Sequence, residues 1–155
     1  HIVDEEKHLG DIEDASHVGK GFDGLDRIYQ MYQGAVDPAY IHWDYNQKRK
    51  YFETLGAFIG EYTLEVDVFK KSTEQDRTVL CSVFNQLTKG GQIQKNNFSA
   101  ELSAGRYHKC LSKIESTHSG IGKGRFSQRL ANHVSASMIP DYVSNAIDAI
   151  VEKVR

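Results

Sequence analysis

Residues 54–65 read Thr54-Leu55-Gly56-Ala57-Phe58-Ile59-Gly60-Glu61-Tyr62-Thr63-Leu64-Glu65. The run from Thr54 to Gly60 is short, apolar and glycine-bounded. That is the pattern of a central strand buried on both faces, as in a parallel sheet. The stretch from Thr63 to Lys70 admits two readings. Strict alternation makes it a strand with Glu65 and Asp67 on one face. Alternatively, Thr63 caps a helix in which Leu64 and Val68 pack one turn apart. The helix is preferred, because it begins where a sheet strand ends. A buried strand running into a helix predicts an α/β fold: a small, mostly parallel sheet with many helices on or beside it.

Upstream, residues 1–24 are acidic and glycine-containing with little periodicity, and read as a loop or partly ordered leader. Leu25, Ile28, Tyr29 and Tyr32 then recur at helical spacing. Asp37-Pro38 marks a turn or helix start, and the aromatic stretch 39–46 is ambiguous between helix and extended chain. Downstream the chain reads as helices. Val79, Leu80, Val83, Phe84 and Leu87 place one over Glu74–Leu87, residues 88–97 break it, and Phe98–Ile114 is helical again around Gly105. Residues 119–124 form a glycine-rich turn. Helices over 125–134 and 141–154 close the chain, with Pro140 suited to the first turn of the second.

A chain of 155 residues is enough for one domain with its own core. The composition is that of an ordinary soluble protein. No apolar run approaches the roughly 18–20 residues needed to span a bilayer, and the N-terminus lacks the apolar core of a signal peptide. The chain does not begin with Met, so it is expected to be a piece of a longer polypeptide, a processed N-terminus being the alternative; a cytoplasmic location is expected as well. Cys81 and Cys110 belong to no CxxC or Cys/His cluster, which argues against zinc and for reduced thiols. The net charge of −2 argues against a wholesale electrostatic grip on nucleic acid. Its distribution says more. Asp4, Glu5, Glu6, Asp11, Glu13 and Asp14 face a single Lys7, whereas Arg106, Lys109, Lys113, Lys123, Arg125 and Arg129 stand against Glu115 alone. The second half could face a phosphate backbone or simply form solvated helix faces.

Two constellations carry chemistry. Sites in open α/β sheets collect outside the carboxyl ends of strands. There Glu65 could bind a hard cation directly, with Thr63 as a direct or water-mediated ligand and Glu61 or Asp67 supporting from further out. A capped helix with acids in its first turn explains the same residues without metal. The second constellation is Ser119-Gly120-Ile121-Gly122-Lys123-Gly124-Arg125-Phe126. Gly122 and Gly124 let the backbone approach an oxyanion, and the helix that follows offers free amides. Lys123 could stabilise charge on a scissile phosphate, with Arg125 and Arg129, four apart on one helix face, contacting phosphate. A glycine turn with a solvated lysine is the alternative. The GxxxxGK[ST] spacing of a Walker A loop is absent. Seven scattered histidines form no metal motif, and Tyr40, Trp43, Tyr45, Tyr51 and Phe52 suit core packing better than base stacking.

Taken together, the two segments resemble the OLD (overcoming lysogenization defect) family of ATP-dependent endonucleases. In that family an ATPase domain precedes a Toprim (topoisomerase-primase) domain that cleaves DNA with divalent metal. Thr63-Leu64-Glu65 resembles its hydroxyl-x-acid motif, and Lys123 in Gly-Lys-Gly-Arg-Phe resembles its essential lysine. Ser127-Gln128-Arg129-Leu130-Ala131 and Pro140-Asp141-Tyr142-Val143 resemble its closing helices. The resemblance runs from about residue 55 to the end. It implies a partial Toprim-like (Rossmann-like) parallel sheet over 55–155 with a helical insert at about 74–116, and residues 1–54 as leader and partial upstream part. It further implies a two-metal site for Mg²⁺ or Mn²⁺, DNA as partner, oligomers through the parent protein, ATP bound only outside this chain, and a role in phage defence. The family's early glutamate motif and Asp-x-Asp pair are missing here, so those ligands are expected upstream and the fragment alone is expected to be inactive. The rival expectation is a non-catalytic helical binding or dimerisation module. In the nuclease reading, Glu65 and Lys123 must converge across 57 intervening residues.

Overall fold

Gly56 redirects the stretch that was expected to be a strand. In the computed structural model, which describes residues 2–3, 24–32, 34–60 and 62–155, helix α2 (Tyr45–Thr54) runs into this segment and stops there. Gly56 takes a left-handed φ of 81°. Its N–H donates to Glu53 O at 3.0 Å, and Ala57 N–H donates to Phe52 O at 2.9 Å, the paired bonds of a Schellman helix end. Leu55, Gly56 and Ala57 are thereby spent on terminating a helix, and only Phe58–Ile59 remains extended as β2.

The expected α/β fold with a Toprim-like parallel sheet is therefore overturned. The chain is predominantly helical. Among the described residues the one ladder pairs β1 (Ile2–Val3) with β2 in parallel, Ile2 opposite Phe58 and Val3 opposite Ile59. Strands of two residues are far shorter than the roughly five or six residues of ordinary sheet strands. Ile2–Val3 was read as loop and is extended instead; the rest of the acidic leader, residues 4–23, lies outside the described residues. The remaining elements are α1 (Gly24–Tyr32), a 3₁₀ turn (Pro38–His42), α3 (Leu64–Lys71), α4 (Glu74–Leu87), α5 (Gln92–Ser103), α6 (Tyr107–Glu115), α7 (Lys123–Leu130), a 3₁₀ turn (Ala136–Met138) and α8 (Asp141–Val154).

The chain divides into two compact units. Among the described residues, one comprises 2–3, 24–32, 34–60, 62–63 and 140–155, the other 64–139. In the first, Leu25, Ile28, Tyr40, Phe52, Ala57 and Ile59 form the core. The aromatic cluster packs on itself: Tyr40 lies edge-on to Phe52 at 5.4 Å and Trp43 edge-on to Tyr51 at 5.0 Å. Asp44 starts α2 through a reciprocal capping box with Gln47; of the stretch 39–46 read as ambiguous, residues up to His42 form a 3₁₀ turn and Tyr45 and Asn46 begin α2.

In the second unit, Phe69, Leu80, Phe84, Phe98, Leu102, Ile114 and Phe126 are fully or almost fully buried. Phe84 and Phe98 stack at 4.0 Å. The helix expected over Phe98–Ile114 is two helices. Gly105, at φ 74°, ends α5 with Arg106 N–H donating to Glu101 O at 2.9 Å, so the chain turns back and α6 packs against α5. Thr73 and Asp76 cap α4 reciprocally. The Asp76 carboxylate also accepts from the Ser135 and Ser137 hydroxyls at 2.8 and 2.7 Å. These hydrogen bonds, Ser137 first, then Thr73 and Ser135, hold its pKa down at about 2.

Candidate functional site

Helix α3 separates the residues expected to share a cation. At 3.6 residues per turn, Glu65 and Asp67 stand about 200° apart around the axis. Asp67 is buried on one side, while Glu65 is half-buried on another. The alternating-strand reading would have aligned them; the helix does not. Thr63 belongs to the first unit, and Glu65 and Asp67 to the second. Its hydroxyl is buried, with no hydrogen-bond partner among the described residues, so Thr63 does not cap α3 through its side chain. Glu61 lies outside the described residues. Among the described residues, no group of three or more His, Cys, Asp or Glu side chains is placed to hold a metal ion.

Glu65 instead meets α7. Ser127 Oγ donates to Glu65 Oε1 at 3.4 Å. One turn further along α3, Phe69 packs edge-on against Phe126 at 6.1 Å. Residues four apart share a helix face, so the Glu65/Phe69 face of α3 lies against the Phe126/Ser127 region of α7. Lys123 is four residues before Ser127, on the same side of α7.

The turn before Lys123 is held by its own polar groups. Ser119 is buried. Its hydroxyl lies 2.9 Å from Ser116 O and 3.1 Å from Ile114 O, and accepts from Ile121 N–H at 3.3 Å. Lys89 N–H donates to Ser119 O at 3.0 Å, and Gly122 N–H donates to Ile114 O at 2.9 Å. Gly122 has φ 75° and ψ 149°, a conformation essentially confined to glycine. A side chain at Gly122 or Gly124 would meet nothing within 4 Å, so the backbone on both sides of the lysine is open. The glycine-rich turn thus starts α7 at Lys123, two residues earlier than the sequence pattern placed it.

Lys123 Nζ forms an ion pair with Glu115 Oε1 at 3.2 Å. Arg125 is exposed. Arg129 is tied to α4 by two hydrogen bonds to Gln86 Oε1, at 3.2 Å from Nε and 2.9 Å from Nη2, so the two arginines sit in different surroundings. Glu115 and Ser127 were not singled out from the sequence. Ser127 had a usable signal, its i, i+4 relation to Lys123; the Glu115 pairing depends on the path of the turn. Cys81 and Cys110 are free thiols, and burial pushes Cys110 up to about 12. No helix among the described residues is long and apolar enough to cross a membrane. Comparison of the chain with known proteins returned no match among protein-family models, curated proteins or solved structures.

Proposed function

We propose that this chain contributes Glu65 and Lys123 to a metal-dependent DNA endonuclease site within a longer OLD-family, ATP-dependent protein. Glu65 is the carboxylate that binds a divalent ion, Mg²⁺ or Mn²⁺, and Lys123 stabilises negative charge on the scissile phosphate. The supporting observation is the 3.4 Å contact of Ser127 Oγ with Glu65 Oε1, which sets the acid beside the helix that begins at Lys123 although 57 residues separate them. Glu65 is half-buried rather than sealed in the core, so its second oxygen can take a ligand. The described residues do not complete a metal centre. The remaining carboxylates belong to sequence outside them, and Asp67, buried on another side of α3, is not among the direct ligands. When bound, divalent ions supply activated water and offset charge on the phosphodiester. Assembly with further copies through the parent protein and a cytoplasmic location belong to the same reading.

The test is nicking of supercoiled plasmid by the whole protein with Mg²⁺ or Mn²⁺. Wild type is expected to nick, with Glu65→Gln silent and Lys123→Ala slowed about 10²–10³-fold. Unchanged nicking by both variants overturns the assignment.

A second reading, a helical dimerisation module, is favoured by Ile147, Ile150, Val151 and Val154. They leave an exposed apolar stripe at i, i+3, i+4 and i+7 on α8. Light scattering on the wild type and Ile150→Glu tests this second reading: the module requires a dimer that the substitution dissociates.

A further inference from the structure

Helix α6 carries a second feature. Lys109, Ser112, Lys113 and Ser116 follow one another at i, i+3, i+4 and i+7, so they share one helix face. That face lines an open cavity of about 340 Å³, completed by Gln94 from the first turn of α5, His118 from the following turn, and Phe84 from α4. The volume falls in the lower part of the roughly 300–1,000 Å³ range of ligand pockets.

The chemistry of the lining is one-sided. Lys109, Lys113, His118, Ser112, Ser116 and Gln94 supply the polar lining, and among the described residues no carboxylate lines the cavity. Glu101 is an acid whose charge is coupled to these lysines. It is already engaged by Arg106, and that hydrogen bond, aided by the charges of Arg106, Lys109 and Lys113, holds its pKa below the usual carboxylate range. Ser116 Oγ donates to Lys113 O at 3.1 Å, so what the lining offers an oxyanion is the two lysine charges beside the Gln94 amide and the His118 imidazole. The aromatic residue does not read bases. Phe84 is 1% exposed and its ring is covered by Phe98 at 4.0 Å, so it presents no free face for stacking.

We infer that this cavity binds a phosphate group of a nucleic-acid strand, without regard to base sequence. The cavity's own chemistry asks only for a phosphate; the choice of a strand over a free phosphate ester rests on the nuclease reading above.

The experiment is fluorescence anisotropy of the whole protein with a labelled DNA duplex over a salt series. Each phosphate contact contributes about 0.9 to the slope of log K against log salt. Lys109→Ala/Lys113→Ala is therefore expected to flatten the slope by about 1.8, a roughly 60-fold loss of affinity at 0.1 M salt relative to the 1 M limit. Lys109→Arg/Lys113→Arg is expected to keep the wild-type slope. Lys50→Ala/Lys153→Ala, two exposed lysines of the first unit, removes the same charge elsewhere and is expected to do the same. An unchanged slope in the first double variant overturns the inference, as does an equal loss in the third, which would reduce the effect to net charge. Inorganic phosphate and a mononucleotide are titrated in parallel by NMR. Saturable shifts at α6 with either, together with Lys109/Lys113-independent DNA binding, would make the ligand a free phosphate ester and overturn the strand assignment. DNA that is held through Lys109 and Lys113 but never cut would end the nuclease reading while leaving this one standing.

Discussion

Ser127 and Glu65, 62 residues apart in sequence, meet through a hydroxyl–carboxylate hydrogen bond of 3.4 Å. The bond is long, and neutral-to-charged bonds of good geometry contribute about 1.5–3 kcal/mol, so its role is to aim the carboxylate rather than to hold α3 on α7; Phe69 and Phe126 do that. Ser127→Ala is accordingly expected to leave thermal stability nearly unchanged. It should raise, several-fold, the Mn²⁺ concentration needed for half-maximal nicking. An unshifted metal dependence would mean that Glu65 needs no positioning from α7.

Lys123→Ala is expected to lower the cleavage rate about 10²–10³-fold, equivalent to about 2.7–4 kcal/mol in the barrier, with DNA affinity largely retained. The ion pair with Glu115 does not compete with this assignment on energetic grounds, because exposed pairs contribute only about 0–1 kcal/mol. Single-turnover nicking gives the rate and anisotropy gives the binding. Full activity would make the Gly122–Gly124 segment merely a turn.

The two glycines around Lys123 should respond in opposite directions. Gly122 lies at φ 75° and ψ 149°, so Gly122→Ala should destabilise by about 1–3 kcal/mol through backbone strain. Gly124 lies in the first turn of α7 with open space where a Cβ would stand. Gly124→Ala should therefore be neutral or stabilising by up to about 1 kcal/mol. Urea unfolding measures both. A stabilised Gly124→Ala protein that cleaves poorly would show that the bare backbone there approaches the substrate.

Acid should weaken the second unit through Asp76. Its folded pKa of about 2 lies below the ordinary 3.8, so the folded state favours the carboxylate. The resulting stabilisation is fully present above about pH 4 and is lost as pH falls from 3.8 through about 2. Ser135→Ala/Ser137→Ala removes two of its donors and should raise the Asp76 pKa toward 3.8. Carboxyl-carbon NMR titration reads this directly; an unmoved pKa would place the cause elsewhere.

The 155-residue chain alone is expected to bind Mn²⁺ or Mg²⁺ weakly and not to nick DNA, because two-metal catalysis needs carboxylates on both sides of the ion pair and Glu65 is the one direct carboxylate ligand assigned here. Calorimetric titration beside a nicking assay is the measurement. Tight binding or metal-dependent nicking would reveal further ligands, with Asp44 and the acids of residues 4–14 the first to test.

Much of the local structure was legible in the residues. Val79, Leu80, Val83, Phe84 and Leu87 recur at helical spacing, and α4 runs over Glu74–Leu87 as read. The same holds for α8 behind Pro140 and for the helix beginning at Leu64. Helices of this kind bury one stripe, and a stripe leaves a periodic trace in a single segment. Glu65 and Lys123 were singled out for a different reason: each sits in a short motif resembling those of one family, whatever its neighbours in space.

The apolar run 54–60 was not legible in that way. A helix end and a buried strand both want apolar residues flanked by glycine, and the choice fell to Gly56, whose left-handed turn returns two backbone hydrogen bonds to α2. Gly105 likewise divides one apparent helix into α5 and α6. The divergence of Glu65 from Asp67 followed once α3 was helical rather than extended. The meeting of Glu65 with Ser127, the pairing of Lys123 with Glu115 and the cavity along α6 join separate segments. Those arrangements arise from packing between surfaces distant in sequence, above all Phe69 on Phe126 and Phe84 on Phe98, and no local pattern encodes which buried surface meets which.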